Sequence, residues 1–252
     1  MDLTDDACLG GARLILPPKR SDRAGLDAVL LAAACPARGG ENVVDAGAGV
    51  GTVGLCVARR VEDVRVTLVE MEPELADLAR QNVERNGLAV RVAVVDADVR
   101  DGGRPFHAEA GGLTAGAFAH AVANPPYLSA GDGTEPTNRL KAAAHSMPGD
   151  DLDQWVRFLA TALTGDGTAT MIHRADALRP LLGAFDSRFG AIKVFPIFPR
   201  EGMAANRIIV HGVKGSRAPL QILPGLVLHG DAHEFRPQAE AILRDGAALM
   251  LE

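Results

Sequence analysis

The sequence predicts a single α/β domain with a mostly parallel sheet and helices on both faces, and three observations predict it. Strand-like and helix-like segments alternate as β-α-β-α-β between residues 42 and 98. Three later runs, "AHAVAN", "GTATMIH" and "NRIIVHGV", are close to continuously apolar, as strands covered on both sides must be. The first strand also ends in a glycine series, "DAGAGVG", at the point where a strand hands over to a helix. A chain of 252 residues with 47% apolar composition is long enough to bury one sizeable core, so one domain suffices.

Residues 24 to 36, "AGLDAVLLAAACP", are rich in the helix formers Ala and Leu and must stop at Pro36. "NVVDAGAG" follows as a β-branched strand and "TVGLCVARRV" as the next helix. "VRVTLVEM" is the second strand, "EPELADLARQNVERNG" a helix closed by Asn86-Gly87, and "AVRVAVVDAD" the third strand. "AHAVAN" is the fourth strand, followed from Leu128 to Asp150 by a 23-residue loop of a length more often functional than not. Helices are expected at 151–164 and 175–186, around the strand "GTATMIH" and before "NRIIVHGV". Beyond Ser216, "PLQILPGLVLHGD" predicts a small hairpin and "RPQAEAILRDG" a closing helix. The expected organisation is one domain over 1–252. It comprises a hairpin and helix extension at 1–40, the core at 41–216, and a C-terminal hairpin and helix at 217–252.

The formal charge of −6 argues against a generally polycationic surface, while leaving local basic patches open. Cys8, Cys35 and Cys56 are odd in number and not in C-x-x-C spacing, which predicts neither a disulfide framework nor a zinc site. His229 and His233 are four apart but flank a turn, so no metal is assigned, and Trp155 is expected in the core. The longest apolar run, residues 28 to 35, is too short to span a bilayer, and the N-terminus has no apolar signal core. A cytoplasmic protein without a membrane partner is the simplest expectation.

Gly47, Gly49 and Gly51 let the backbone turn sharply and let a ligand approach it. Asp45, two residues earlier, would repel a pyrophosphate but attract the ammonium of an amino-acid moiety, which points to S-adenosylmethionine. Glu70 ends the second strand, where a carboxylate can accept hydrogen bonds from both ribose hydroxyls, and Asp98 follows the third, placed to accept from the adenine amino group. Singly, Asp45 and Asp98 are equally readable as turn caps and Glu70 as a solvated carboxylate. Together they stand in order at the ends of strands one to three, the edge where open α/β sheets bind ligands.

Asn124-Pro125-Pro126-Tyr127 ends the fourth strand. Prolines terminate strands because they donate no amide hydrogen bond, but that explains neither the Asn before them nor the Tyr after. An exocyclic amine on a planar group has its lone pair delocalised and must pyramidalise to attack a methyl group. The Asn124 side-chain oxygen and the Pro125 carbonyl can each accept one of its N–H bonds, Pro126 fixes the carbonyl's direction, and Tyr127 can stack on the planar group.

Through "VVDAGAGVG" and "NPPY" the chain resembles the class I S-adenosylmethionine-dependent methyltransferases that modify planar nitrogen. Through "LGGARLILPPKRSDRAGLDAVLLAAA" and "FPREGMAANRIIVHGVKG" it is most similar to the bacterial tRNA1(Val) adenine-37 N6-methyltransferases and the methyltransferase small domain family. The resemblance implies a Rossmann-like fold with a seven-stranded, mostly parallel sheet. It assigns Asp45, Gly47 and Gly49 to the methionine end of the cofactor, Glu70 to the ribose, Asp98 to the adenine, and Asn124 to Tyr127 to the target base. Arg23 and Asp27 match a segment that packs over the cofactor.

A tRNA partner needs cations, and Lys19, Arg20, Arg23, Arg139, Lys141, Arg200, Arg207, Lys214 and Arg217 are candidates if they share one face. One alternative is glutamine N5-methylation of a release factor or other protein, although those enzymes carry a helical domain ahead of the cofactor loop and only 44 residues precede Asp45 here. DNA adenine methylation requires a target-recognition region for which the sequence after Tyr127 leaves little room. A noncatalytic S-adenosylmethionine-binding interaction module would not require Asn124 and Tyr127. Oligomeric state is not legible.

Overall fold

The computed structural model describes residues 4–8, 12–16, 24–101, 106, 113–126, 149–232 and 234–251. Strands β1 (Thr4–Cys8) and β2 (Ala12–Leu16) pair antiparallel as a separate two-stranded unit. Helix α1 (Ala24–Ala34) is buried on nearly every side, as an Ala/Leu helix without a polar face must be, and packs against α2 (Thr52–Arg60).

The alternating segments build a parallel sheet. Strand β3 (Asn42–Ala46) pairs with β4 (Arg65–Glu70), and β4 with β5 (Val92–Asp96), connected through α2 and α3 (Pro73–Arg85). The chain then crosses back, and β6 (Phe118–Ala123) lies on the other side of β3. Helix α4 (Gly149–Ala162) leads into β7 (Leu163–Arg174), and α5 (Leu178–Asp186) into β8 (Phe189–Phe198). Strand β9 (Arg207–Lys214) inserts between β7 and β8, antiparallel to both. The sheet order is β10-β8-β9-β7-β6-β3-β4-β5, where β10 (Gln221–Ile222) and β11 (Leu226–Val227) both attach to β8. Seven long strands, the number the resemblance implies, are joined by these two short ones.

Two apolar layers cover the sheet. Side chains of α1, α2, α3 and the closing helix α6 (Pro237–Asp245) form one with Val43, Val122, Ile172 and Ile209. Helices α4 and α5 form the other, around Phe185, Leu159, Trp155 and Met171. Trp155 is therefore a core residue, as expected, and the cysteines at 35 and 56 are buried free thiols.

Two expectations change. The C-terminal hairpin at 217–252 does not form: β10 and β11 each run parallel to β8 and do not pair with one another. They are one edge strand interrupted at Leu223-Pro224-Gly225, because Pro224 cannot donate a ladder bond and Gly225 turns at φ 84°. Strand β8 itself went unread, since Pro196 breaks its apolar run. In the sheet Pro196 falls in the gap between β10, which reaches Val194, and β11, which starts at Ile197. Its missing N–H therefore costs no ladder bond on that side.

Gly225 has both a positive φ and a Cβ position 2.3 Å from the Pro196 carbonyl oxygen. Gly225→Ala should lower stability by ~2–4 kcal/mol, from backbone strain plus steric displacement. Urea denaturation measures this, and a loss below ~0.5 kcal/mol would contradict the interrupted-strand geometry.

Candidate functional site

The switch point of the sheet lies between β3 and β6, where the chain, having built one half, returns to build the other. The register Asp45↔Val122 and Ala46↔Ala123 makes Gly47 and Asn124 the next residues of two paired strands at the C-terminal edge. The expected glycine loop and the expected acceptor motif are thus neighbours across one strand pair.

Gly47, Gly49 and Gly51 all adopt positive φ, 65°, 57° and 90°, so the loop needs glycine three times in five residues. Ala48 N–H donates to the Val69 carbonyl (2.9 Å) and Gly51 N–H to the Ala48 carbonyl (2.8 Å), tying the turn to β4. A Cβ on Gly47 would stand 2.2 Å from the tip of the Trp155 ring, whereas one on Gly49 would meet no atom within 4 Å. Gly47 is supported from below by α4, and Gly49 faces open space.

Glu70 is buried, and its carboxylate gathers three backbone amides. Oε2 accepts from Gly49 N–H (2.8 Å), and Oε1 from Met71 and Glu72 N–H (2.9 Å each). Burial raises its pKa, and these donors oppose the rise. Asp45 is 1% exposed, and its Oδ2 accepts from Gly54 N–H (2.9 Å) in the first turn of α2. Burial lifts its pKa to about 7, with the Gly54 bond acting against the shift. Asp45 thus anchors the helix that follows the loop, a role its spacing did not reveal.

Asp98 forms an Asx turn, accepting Arg100 N–H on Oδ1 (2.8 Å), and binds the Arg100 guanidinium through Nε to Oδ1 and Nη2 to Oδ2 (3.1 Å each). Arg100 Nη2 also reaches Met71 Sδ at 3.2 Å. Neither Met71, 41% exposed directly after Glu70, nor Arg100 was singled out from the sequence. An exposed apolar residue following a strand-end carboxylate was the available signal.

Asn124 and Pro126 are partly exposed and Pro125 is buried at the end of β6. Tyr127 lies outside the described residues, as do Arg23, Lys19, Arg20, Arg139, Lys141, His233 and the 128–148 stretch of the expected loop. Asp27 is buried on α1 and accepts from Arg207 Nε (2.9 Å) at the start of β9, opposite Arg174 at the end of β7. This pair fastens α1 to the functional edge.

The cations expected to share one face separate. Arg200 and Arg207 stand at the C-terminal edge, but Lys214 Nζ donates to the Leu163 carbonyl (2.7 Å) at the opposite edge, and Arg217 follows it there. The antiparallel course of β9 is the reason. Among the described residues no group of His, Cys, Asp or Glu is arranged to hold a metal, and no helix is long and apolar enough to cross a membrane.

Carboxylates at three strand ends around an open glycine loop fit a ligand with a cationic amino-acid end and a nucleoside end, and would repel a pyrophosphate. The family model described as methyltransferase small domain matches residues 21–147. A protein of Shewanella sediminis named tRNA1(Val) (adenine(37)-N6)-methyltransferase is 29% identical over 146 residues, covering 58% of this chain and 57% of the relative. One of the same name from Actinobacillus succinogenes is 26% identical over 193 residues, 76% of this chain and 77% of the relative. The crystal structure of a predicted O-methyltransferase from Agrobacterium tumefaciens superposes with TM-score 0.73 at 32% identity, over 88% of this chain and 98% of that one.

The raised pKa of Asp45 has a signed consequence. Its carboxyl keeps a proton up to about pH 7 in the folded protein and releases it near 3.8 when unfolded. Its contribution to stability is therefore complete below that lower value and is lost as pH rises toward 7. Asp45→Asn keeps an acceptor for Gly54 and removes the titration. Relative to the unaltered protein it should gain up to about 4 kcal/mol between pH 4 and pH 8. Parallel urea-stability profiles for the two proteins would refute this.

Proposed function

The chain belongs to the methyltransferase small domain family and is an S-adenosylmethionine-dependent methyltransferase, and from that premise we propose that it methylates the exocyclic N6 amine of an adenine in a tRNA anticodon loop, adenine 37 of tRNA1(Val) in particular. The observation that carries this reading is the placement of Asn124-Pro125-Pro126 at the end of β6, beside the Gly47 turn. The names of the Shewanella and Actinobacillus relatives support the choice of base.

S-adenosylmethionine, when bound, supplies an electrophilic methyl group. Gly47 and Gly49 would cradle its methionine end, Glu70 would accept from the ribose, Asp98 would accept from the adenine amino group, and Asp45, whose carboxyl releases its proton near pH 7, would favour the ammonium once ionised. Asn124 Oδ1 and the Pro125 carbonyl accept the two N–H bonds of the target amine, which localises its lone pair on nitrogen. Tyr127 stacks on the base. No strong base is required at the start, because the methylated ammonium is acidic enough to release its proton afterwards.

In-line positioning of this kind can supply about 7–11 kcal/mol of the barrier reduction, and the two fixed carbonyl dipoles act in addition. An unstacked loop adenine is cheaper to present than one in a duplex. In this reading the cations that track the RNA backbone include Arg200, together with Lys19, Arg20, Arg23, Arg139 and Lys141. The substrate and the enzyme meet in the cytoplasm.

Incubation with labelled S-adenosylmethionine and unmodified bulk tRNA should yield labelled N6-methyladenosine. Label appearing only in a protein fraction as methylglutamine would replace the tRNA reading, and cofactor binding without transfer to any pool would end the catalytic one. Asn124→Ala should reduce turnover by about 10²–10³-fold, the scale of losing one preorganised polar group, while S-adenosylhomocysteine affinity by calorimetry stays within about two-fold.

A further inference from the structure

As the side chains stand, Asp98 accepts three hydrogen bonds, all from Arg100. One oxygen accepts Arg100 N–H and Nε, and the other accepts Nη2, so the guanidinium lies against the carboxylate edge-on with two parallel hydrogen bonds. The same Nη2 rests on Met71 Sδ, which bridges the end of β4 to the turn after β5. The ribose-side carboxylate Glu70 immediately precedes Met71. The Arg100 head group therefore spans the place where a nucleoside held by Glu70 and Asp98 would put its base.

Arg100 also lines a cavity of about 120 Å³ together with Phe106, Gln154, Phe158 and Thr161. The centroids of the two phenylalanine rings are 5.0 Å apart. A guanidinium turned into that cavity would have aromatic rings and the Gln154 amide among its lining. The like charge of Arg157 on its rim is held by Asp153 at 3.1 Å. Arg100 thus has two seats, one on Asp98 and one away from it.

We propose that Arg100 gates the adenine end of the cofactor site: its guanidinium competes with the adenine amino group for Asp98 and turns toward the Phe106–Phe158 cavity when the nucleoside binds. This rests on the S-adenosylmethionine reading of the site. The Asp98–Arg100 pair is about one-third exposed on each side, so the competition is modest, and the gate tunes affinity without blocking binding.

The test is calorimetry with S-adenosylhomocysteine and with 5′-methylthioadenosine, which lacks the amino-acid end, on the unaltered protein, Arg100→Met, Asp98→Asn and the double variant. Arg100→Met should bind both ligands about 3- to 5-fold more tightly at low salt, the worth of an exposed ion pair. In the Asp98→Asn background the same substitution should change affinity less than about 1.5-fold, because the contested carboxylate is gone. Weaker binding by Arg100→Met would show that the guanidinium stacks on the adenine and would overturn the gate. Unchanged binding, or equal tightening in both backgrounds, overturns it too. Failure of the unaltered protein to bind S-adenosylhomocysteine overturns the methyl-donor reading itself, and the gate with it.

Discussion

The candidate site depends on one buried carboxylate. Glu70 joins the glycine loop after β3, the end of β4 and the entry to α3 by accepting three backbone amides, from Gly49, Met71 and Glu72. Each of those amides, left buried without a partner, would cost about 1–3 kcal/mol, and the three donors oppose the burial that raises the pKa of Glu70. Without that carboxylate neither the left-handed Gly49 nor the Glu72 turn into α3 has an anchor. A carboxylate offers about four acceptor directions, so three occupied here leave room for little more than one further donor. The residue that shapes the loop and the residue expected to hold the ribose are the same side chain, and the two duties compete for the same lone pairs.

Much of the architecture was legible because it rests on patterns local in sequence. The alternation of "NVVDA", "RVTLVE" and "VAVVD" with amphipathic helices defined the parallel half of the sheet, and a glycine after the first strand defined its functional edge. Partners across the fold were not legible. Asp45 was placed correctly at a strand end, but its Gly54 bond follows from how α2 sits on β3, which no spacing encodes. Two apolar runs around Pro224-Gly225 carry a hairpin's signature, yet the parallel neighbour β8 captured both, and Pro196 hid that neighbour from a propensity argument.

The distribution of charge carries the same lesson. A count of basic residues cannot say which edge of a sheet they occupy until strand direction is known. Strand β9 enters at Arg207 beside the site and leaves at Lys214 on the far edge, so one strand divides the candidates. Three of the described arginines near the site are compensated: Arg174 by Asp176, Arg207 by Asp27 and Arg236 by Glu201. Such pairs contribute little net field, which agrees with the overall charge of −6 and limits nonspecific attraction of nucleic acid.

Methyl transfer by positioning makes demands on the sheet itself. Orientation contributes fully only when the reacting atoms are held within a few tenths of an ångström of a near-attack geometry. In the proposed reaction the glycine loop and Asn124 would be held by their adjacent strands, β3 and β6, whose residues Val44, Ala46, Ala121 and Ala123 are completely buried. Neighbouring strands are fixed about 4.8 Å apart by their hydrogen bonds, and a one-residue slip would turn every buried side chain to the wrong face. The register that buries the core is thus the same register that sets Gly47 beside Asn124. Precision at the reacting edge comes from the packing of the strand residues directly behind it.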